Sequence, residues 1–132
     1  MSKPVLGIIG GGQLGSMLAT AAKKIGIKTV IFCDDQDAPA QNFSDKFICG
    51  KYDDQNIIDE FMNAIDIATF EFENIPYETL NKINNIKSVL PNPSINKVVQ
   101  NRLFEKDYIN KLNIRTTQYV SIKSEKEVYI NN

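Results

Sequence analysis

A continuous apolar run, Val5 to Ile9, passes directly into Gly10-Gly11-Gly12-Gln13-Leu14-Gly15 and then into a helical pattern. This junction constrains the fold more than any other segment. A run without polar alternation suits a strand buried on both faces, as in a parallel sheet. Clustered glycines let the backbone turn tightly and approach a ligand closely. The helix that follows offers unpaired N–H groups and the positive end of its dipole. The spacing Gly10-x-Gly12-x-x-Gly15 also fits a dinucleotide fingerprint, with Asp34 and Asp35 where its ribose-binding acid would stand. The turn alone leaves two readings open: a seat for a phosphate or nucleotide, and a tight strand-to-helix turn with no ligand. Gln13 divides the same way, as a donor to a phosphate or ribose oxygen or as a residue that only solvates the turn.

The pattern then repeats. Gln13 to Ile25 has helical spacing, with Leu14, Met17, Leu18, Ala21 and Ala22 expected on the inner face and Gly26 as the stop. Strands are expected at Lys28–Phe32, Lys46–Cys49, Ile67–Phe72 and Lys87–Leu90, with helices at Asn56–Ile65 and Pro76–Asn84. This βαβαβ order predicts an α/β fold with a doubly wound, mostly parallel sheet. After Pro91-Asn92-Pro93 the pattern changes. Helices are expected over Ile95–Asn101, capped by Ser94, and over Arg102–Leu112. A strand is expected over Thr116–Ile122, and a short helix over Ser124–Tyr129. The organisation expected is therefore one sheet domain over 1–93 and the beginning of a second, incomplete domain over 94–132.

Bulk composition excludes several function classes. The net charge of −1, from 15 basic and 16 acidic residues, gives no general attraction to nucleic acid or to an anionic membrane. No apolar run approaches the ~20 residues that span a bilayer. The chain has no His, so His-based catalysis and His metal ligation are absent, and no metal site is expected within it. Cys33 and Cys49 read as two isolated, reduced fillers.

A second constellation, Thr69-Phe70-Glu71-Phe72-Glu73-Asn74-Ile75-Pro76, closes the fourth expected strand. Ligands of open α/β sheets bind at that edge. Two carboxylates two residues apart on a strand point the same way, which sets Glu71 at the cleft of the glycine turn and Glu73 at its rim. Carboxylates accept hydrogen bonds from ribose hydroxyls and amines. A solvated strand end before a Pro-started helix is the plainer alternative.

Together with Asp37-Ala38-Pro39-Ala40, Pro91-Asn92-Pro93 and Gln100-Asn101-Arg102-Leu103-Phe104-Glu105-Lys106, these segments resemble the N-terminal part of the 5-(carboxyamino)imidazole ribonucleotide synthases. That family belongs to the ATP-grasp superfamily, and the resemblance runs from about residue 4 to residue 122. It implies a Rossmann-like pre-ATP-grasp domain followed by the start of an ATP-grasp domain. It implies a ligase of de novo purine synthesis that uses ATP, Mg²⁺ and bicarbonate to carboxylate 5-aminoimidazole ribonucleotide. It implies that Gly10, Gly11, Gly12, Gln13, Leu14 and Gly15 hold the ribonucleotide with Glu71 and, more weakly, Glu73, and that Arg102 approaches the ATP phosphates. It implies a cytoplasmic location and leaves homodimer formation by the intact protein open. The family departs from this chain at Ser16, where a basic residue is common, and at Asn101, where an Asp is common. It also departs at Leu112-Asn113-Ile114-Arg115-Thr116, where a Pro is common. Its ATP-grasp core would follow Asn132, so the chain alone is expected to be inactive and no catalytic residue is assigned in it. The alternatives are the front domain of another ATP-grasp ligase, such as a formate-dependent glycinamide ribonucleotide transformylase or a biotin carboxylase, a ribonucleotide-binding module without chemistry, and a dinucleotide-dependent oxidoreductase domain.

Overall fold

The computed structural model describes residues 3–128. Four parallel strands, β1 (Leu6–Ile9), β2 (Thr29–Cys33), β3 (Lys46–Cys49) and β4 (Ile67–Phe70), form one sheet in the order β3-β2-β1-β4. Helix α1 (Gln13–Lys24) connects β1 to β2, and α2 (Gln55–Ala64) connects β3 to β4. A 3-10 helix, Pro39–Phe43, interrupts the β2–β3 loop. Helix α3 (Tyr77–Asn84) follows β4, then α4 (Pro93–Val99), α5 (Arg102–Lys111) and α6 (Glu125–Val128). The doubly wound parallel α/β architecture predicted for the front of the chain is the one observed.

The two sheet faces carry separate cores. Ile9, Val30, Phe32, Ile48 and Ala68 face the side covered by Ile58, Phe61 and Met62 of α2 and by Leu80 and Ile83 of α3. Ile8 and Ile31 face the other side, against Ala19 of α1 and Ala40 of the 3-10 helix. The inner face of α1 differs from the expectation. Gly15, Ser16, Ala19 and Ala22 are buried, whereas Met17 is 60% exposed and Leu14 56%. The helix lies so close to the sheet that only small residues fit beneath it: a Cβ on Gly15 would stand 2.7 Å from the Gly10 carbonyl oxygen. Gly26, at φ +70, closes the helix as expected.

The fifth strand is reduced to a single parallel bridge between Ala68 and Val89. Ala68 N–H donates to Ser88 O, and Leu90 N–H donates to Ala68 O. Pro91 has no N–H with which to extend the ladder. β4 ends at Phe70, two residues earlier than predicted, although Glu71 N–H still donates to Ile9 O at 3.2 Å. Ser94 lies inside α4 rather than capping it, and its N–H donates to the Asn92 side chain. Buried Asn96 of α4 donates to Ile75 O at 2.8 Å and so ties down the segment after β4.

The boundary between two compact units falls between Lys97 and Val98. In the second unit Asn101 caps α5, its side chain accepting from Leu103 and Phe104 N–H. The expected strand over Thr116–Ile122 does not form. Asn110 donates to Thr116 Oγ1, and Tyr119 O–H donates to Asp107. These side-chain bonds, with no neighbouring strand among the described residues of this unit, hold the segment in irregular form. The short final helix is present over Glu125–Val128, and Tyr129 lies outside the described residues.

Candidate functional site

β1 and β4 are neighbours, but their connections leave β1 in opposite directions, through β2 and β3 on one side and β4 on the other. A crevice forms at the carboxyl ends of strands where the order reverses in this way. A cavity of about 290 Å³ opens there. Its wall comes from Gly10, Gly11 and Gly12 after β1, Cys33, Asp34 and Asp35 at the end of β2, and Tyr52 after β3. Glu71 and Phe72 after β4 complete it, with Ala38 and Pro39 at the start of the 3-10 helix.

The glycine turn is held from three sides. Gly10 N–H donates to Phe32 O at 2.9 Å, and Ala40 N–H donates to Gly11 O at 3.0 Å. Gly12 N–H donates to Glu71 Oε1 at 3.2 Å. Gly10 has φ +113, and a Cβ on it would lie 2.5 Å from Glu71 Oε1. The N–H of Gly12, the N-cap residue of α1, is therefore taken by the chain's own carboxylate. The positive end of the helix dipole favours that charge.

The other wall contains groups that sequence reasoning did not connect to the site. Cys33 Sγ donates to Asp35 O at 3.2 Å, and burial pushes its thiol up to about 11. Tyr52 is held by Thr79, whose hydroxyl donates to Tyr52 O at 2.6 Å, and by edge-on contact with Phe32 at 5.2 Å between ring centres. Burial, and next the charge of Asp34, raises the Tyr52 phenol, so it remains a neutral O–H group. Asp34, Asp35 and Glu71 are the charged groups of the wall, and no Lys or Arg among the described residues lines it.

The predicted site residues separate. Gly10, Gly11, Gly12 and Glu71 meet at the cavity. Gly15 serves close packing of α1. Gln13 and Leu14 stand exposed on the first turn of α1, outside the cavity wall. Glu73 lies in the turn after β4, where two-residue alternation no longer applies, and is exposed outside that wall. Arg102 opens α5 in the second unit, 80% of its side chain exposed, and pairs with Glu105. Among the described residues no group of three or more Cys, Asp or Glu side chains is placed to hold a metal ion. No helix among them is long and apolar enough to cross a membrane.

Residues 2–100 match the model of the ribonucleotide synthetase preATP-grasp domain. The N5-carboxyaminoimidazole ribonucleotide synthase of Brucella melitensis is 38% identical over 120 residues, which are 91% of this chain and 33% of that protein. The crystal structure of N5-carboxyaminoimidazole synthetase from Staphylococcus aureus complexed with ADP superposes with a TM-score of 0.89 at 30% identity, covering 97% of this chain and 34% of that one. The Aspergillus clavatus synthase, solved with ADP and 5-aminoimidazole ribonucleotide, shares the fold at a TM-score of 0.78 and 24% identity, over 88% of this chain and 31% of that one. The chain thus spans about a third of the length of these relatives. With a parallel sheet, a crevice at its switch point and a family match across three quarters of its length, this chain belongs to the ribonucleotide synthetase preATP-grasp domain family.

Proposed function

We propose that this chain is the substrate-binding front part of a ligase that carboxylates 5-aminoimidazole ribonucleotide with ATP and bicarbonate. The observation that carries this reading is the Glu71 carboxylate, seated on Gly12 N–H at the switch-point cavity. One oxygen is anchored, which orients the carboxylate. An ionised carboxylate only accepts hydrogen bonds, so the group opposite must be a donor, and the exocyclic amine and the ribose hydroxyls of the ribonucleotide are donors.

The wall's charge orients the ligand. Each of three carboxylates opposes a phosphate dianion by about 1 kcal/mol at ~8 Å in a water-like dielectric. The aminoimidazole and ribose therefore enter the cavity, and the 5′-phosphate points outward, toward the exposed amides and side chains of Gln13 and Leu14. Glu73 sits further out on the same rim as an auxiliary acceptor. Tyr52 supplies a neutral O–H donor to a ribose oxygen.

Arg102 is assigned to the ATP phosphates on the strength of its motif. Among the described residues no side-chain group is placed to hold a metal ion, and Mg²⁺ and most contacts to ATP and bicarbonate are not assigned to them. No chemical step is assigned to a residue of this chain, which serves to bind and orient one substrate. The intact enzyme would work in the cytoplasm.

Thermal unfolding with ligands tests this reading. A ligand that binds only the folded state raises Tm by mass action. 5-Aminoimidazole ribonucleotide is expected to raise it by several degrees at a hundredfold excess over Kd, and NADH to leave it unchanged. A response to NADH alone would overturn the proposal in favour of a dinucleotide domain.

A further inference from the structure

The two cysteines, which the binding role does not use, are register partners. Cys33 ends β2 and Cys49 ends β3, and the two are paired Cα to Cα in the parallel ladder. Paired residues of adjacent parallel strands point to the same sheet face. That face is the α1 side: Ile31 and Phe47, two residues before each cysteine, both pack in the core beneath α1. The Cys33 sulfur lies there too, where a Cβ on Gly11 would meet it at 2.6 Å. Neighbouring strands run about 4.8 Å apart, inside the Cα separation of about 4.4–6.8 Å that a disulfide spans. Both residues are the last of their strands, and Gly50 N–H donates to Cys33 O at 3.0 Å, so the two strands are still paired beside the cysteines. Both thiols are free, Cys33 buried and Cys49 partly exposed.

We propose that Cys33 and Cys49 form a reversible disulfide that acts as a redox switch on the adjoining substrate cavity. The oxidant is a small-molecule disulfide such as oxidised glutathione. The more accessible Cys49 thiolate attacks one of its sulfurs, forming a mixed disulfide and releasing one glutathione thiolate, which takes up the proton Cys49 lost. Cys33 then loses its proton to solvent, and its sulfur attacks the Cys49 sulfur of the mixed disulfide. This releases the second glutathione, which is protonated in turn. Two protein thiols are oxidised, one glutathione disulfide is reduced, and protons balance.

The consequence for the site follows from valence. The Cys33 S–H now donates to Asp35 O, and a disulfide sulfur has no hydrogen to donate. Oxidation therefore removes one of the bonds that hold Asp35 in the cavity wall, leaving its carbonyl with Ala38 N–H and its carboxylate with Asp37 N–H. Exchange with small thiols breaks such a disulfide again, which makes the switch reversible.

The test uses the whole chain equilibrated in glutathione buffers of graded ratio, quenched with acid and alkylated. Intact mass should show loss of two hydrogens and no glutathione adduct, reversed by dithiothreitol. The Cys49→Ser variant should show no such species. Affinity for 5-aminoimidazole ribonucleotide, measured by calorimetry, should fall about fivefold on oxidation, the equivalent of one lost hydrogen bond, and Cys33→Ser should be insensitive to oxidant. Two thiols that stay free, or a glutathione adduct on Cys49 that Cys33 never resolves, would overturn the switch. A disulfide that forms without changing affinity would overturn its regulatory role. The binding arm rests on the substrate reading above, and the mass arm does not. Absence of binding by the reduced protein refutes that reading, while the mass result judges the disulfide separately.

Discussion

The two faces of the sheet are built to different thicknesses. On the α2–α3 side, Phe32, Phe61, Ile58, Leu80 and Ile83 interlock, each fully buried. On the α1 side the helix buries only Gly15, Ser16, Ala19 and Ala22, and Ala19 packs with Ile8, Ile31 and Ala40, beside the partly buried Leu6 and Phe47. Large side chains remove more apolar surface from water, so the first layer dominates stability. The small-residue layer contributes less burial but lets α1 approach the sheet closely. That approach brings Gly12 N–H to the Glu71 carboxylate. One face stabilises the fold, and the other positions the site.

Substitutions can separate the two roles. The largest effect is expected for Phe61→Ala, which should lower the unfolding free energy by about 3–5 kcal/mol in urea titration. A loss near 1 kcal/mol would remove the distinction between the layers. Alkaline pH reads the Cys33 thiol at the edge of the thin layer. Its value rises from 9.0 unfolded to about 11 folded, so the unfolded state releases its proton first. The Cys33 contribution to stability should be level below pH 9 and fall by about 2–3 kcal/mol as pH rises toward 11, with the raised Tyr52 phenol adding a further loss above pH 10. Cys33→Ala should shrink that fall, leaving the part due to Tyr52, and an unchanged slope would refute the assignment.

Gly15→Ala tests the close approach itself. Its new Cβ would press on Gly10 O, so a loss of about 1–3 kcal/mol is expected, together with weaker ribonucleotide binding. Normal affinity in a destabilised variant would disconnect the thin layer from the site. The smallest effect is expected for Met17→Gln, within about 0.5 kcal/mol, because Met17 faces outward. A core-sized loss would restore the apolar face of α1 as the buried one.

That last contrast shows where sequence reasoning reached and where it stopped. The strands and the glycine turn were legible because continuous apolar runs ending in glycines have few other uses. The inner face of α1 was misread because hydrophobicity favours Leu14 and Met17, whereas tight helix–sheet packing selects for small volume. Lys87–Leu90 has strand composition, but Pro91 ends its pairing after one bridge. Glu71 was legible as a site residue by its place at a strand end. Its partner Gly12, 59 positions away, becomes visible only when β1 and β4 lie side by side. Tyr52 could have been suspected from its position just past β3, since loops at that edge line the crevice. Nothing in local spacing marks Cys33 and Cys49 as neighbours, because their contact comes from the β2–β3 register.

Glu71, held by the glycine turn, is the residue proposed to receive the donor groups of the ribonucleotide. Titration of 5-aminoimidazole ribonucleotide into Glu71→Ala tests this role most directly. The expected result is an affinity at least about tenfold weaker, with unfolding stability lowered by no more than about 1 kcal/mol for the lost helix cap. Unchanged affinity in the folded variant would contradict the account.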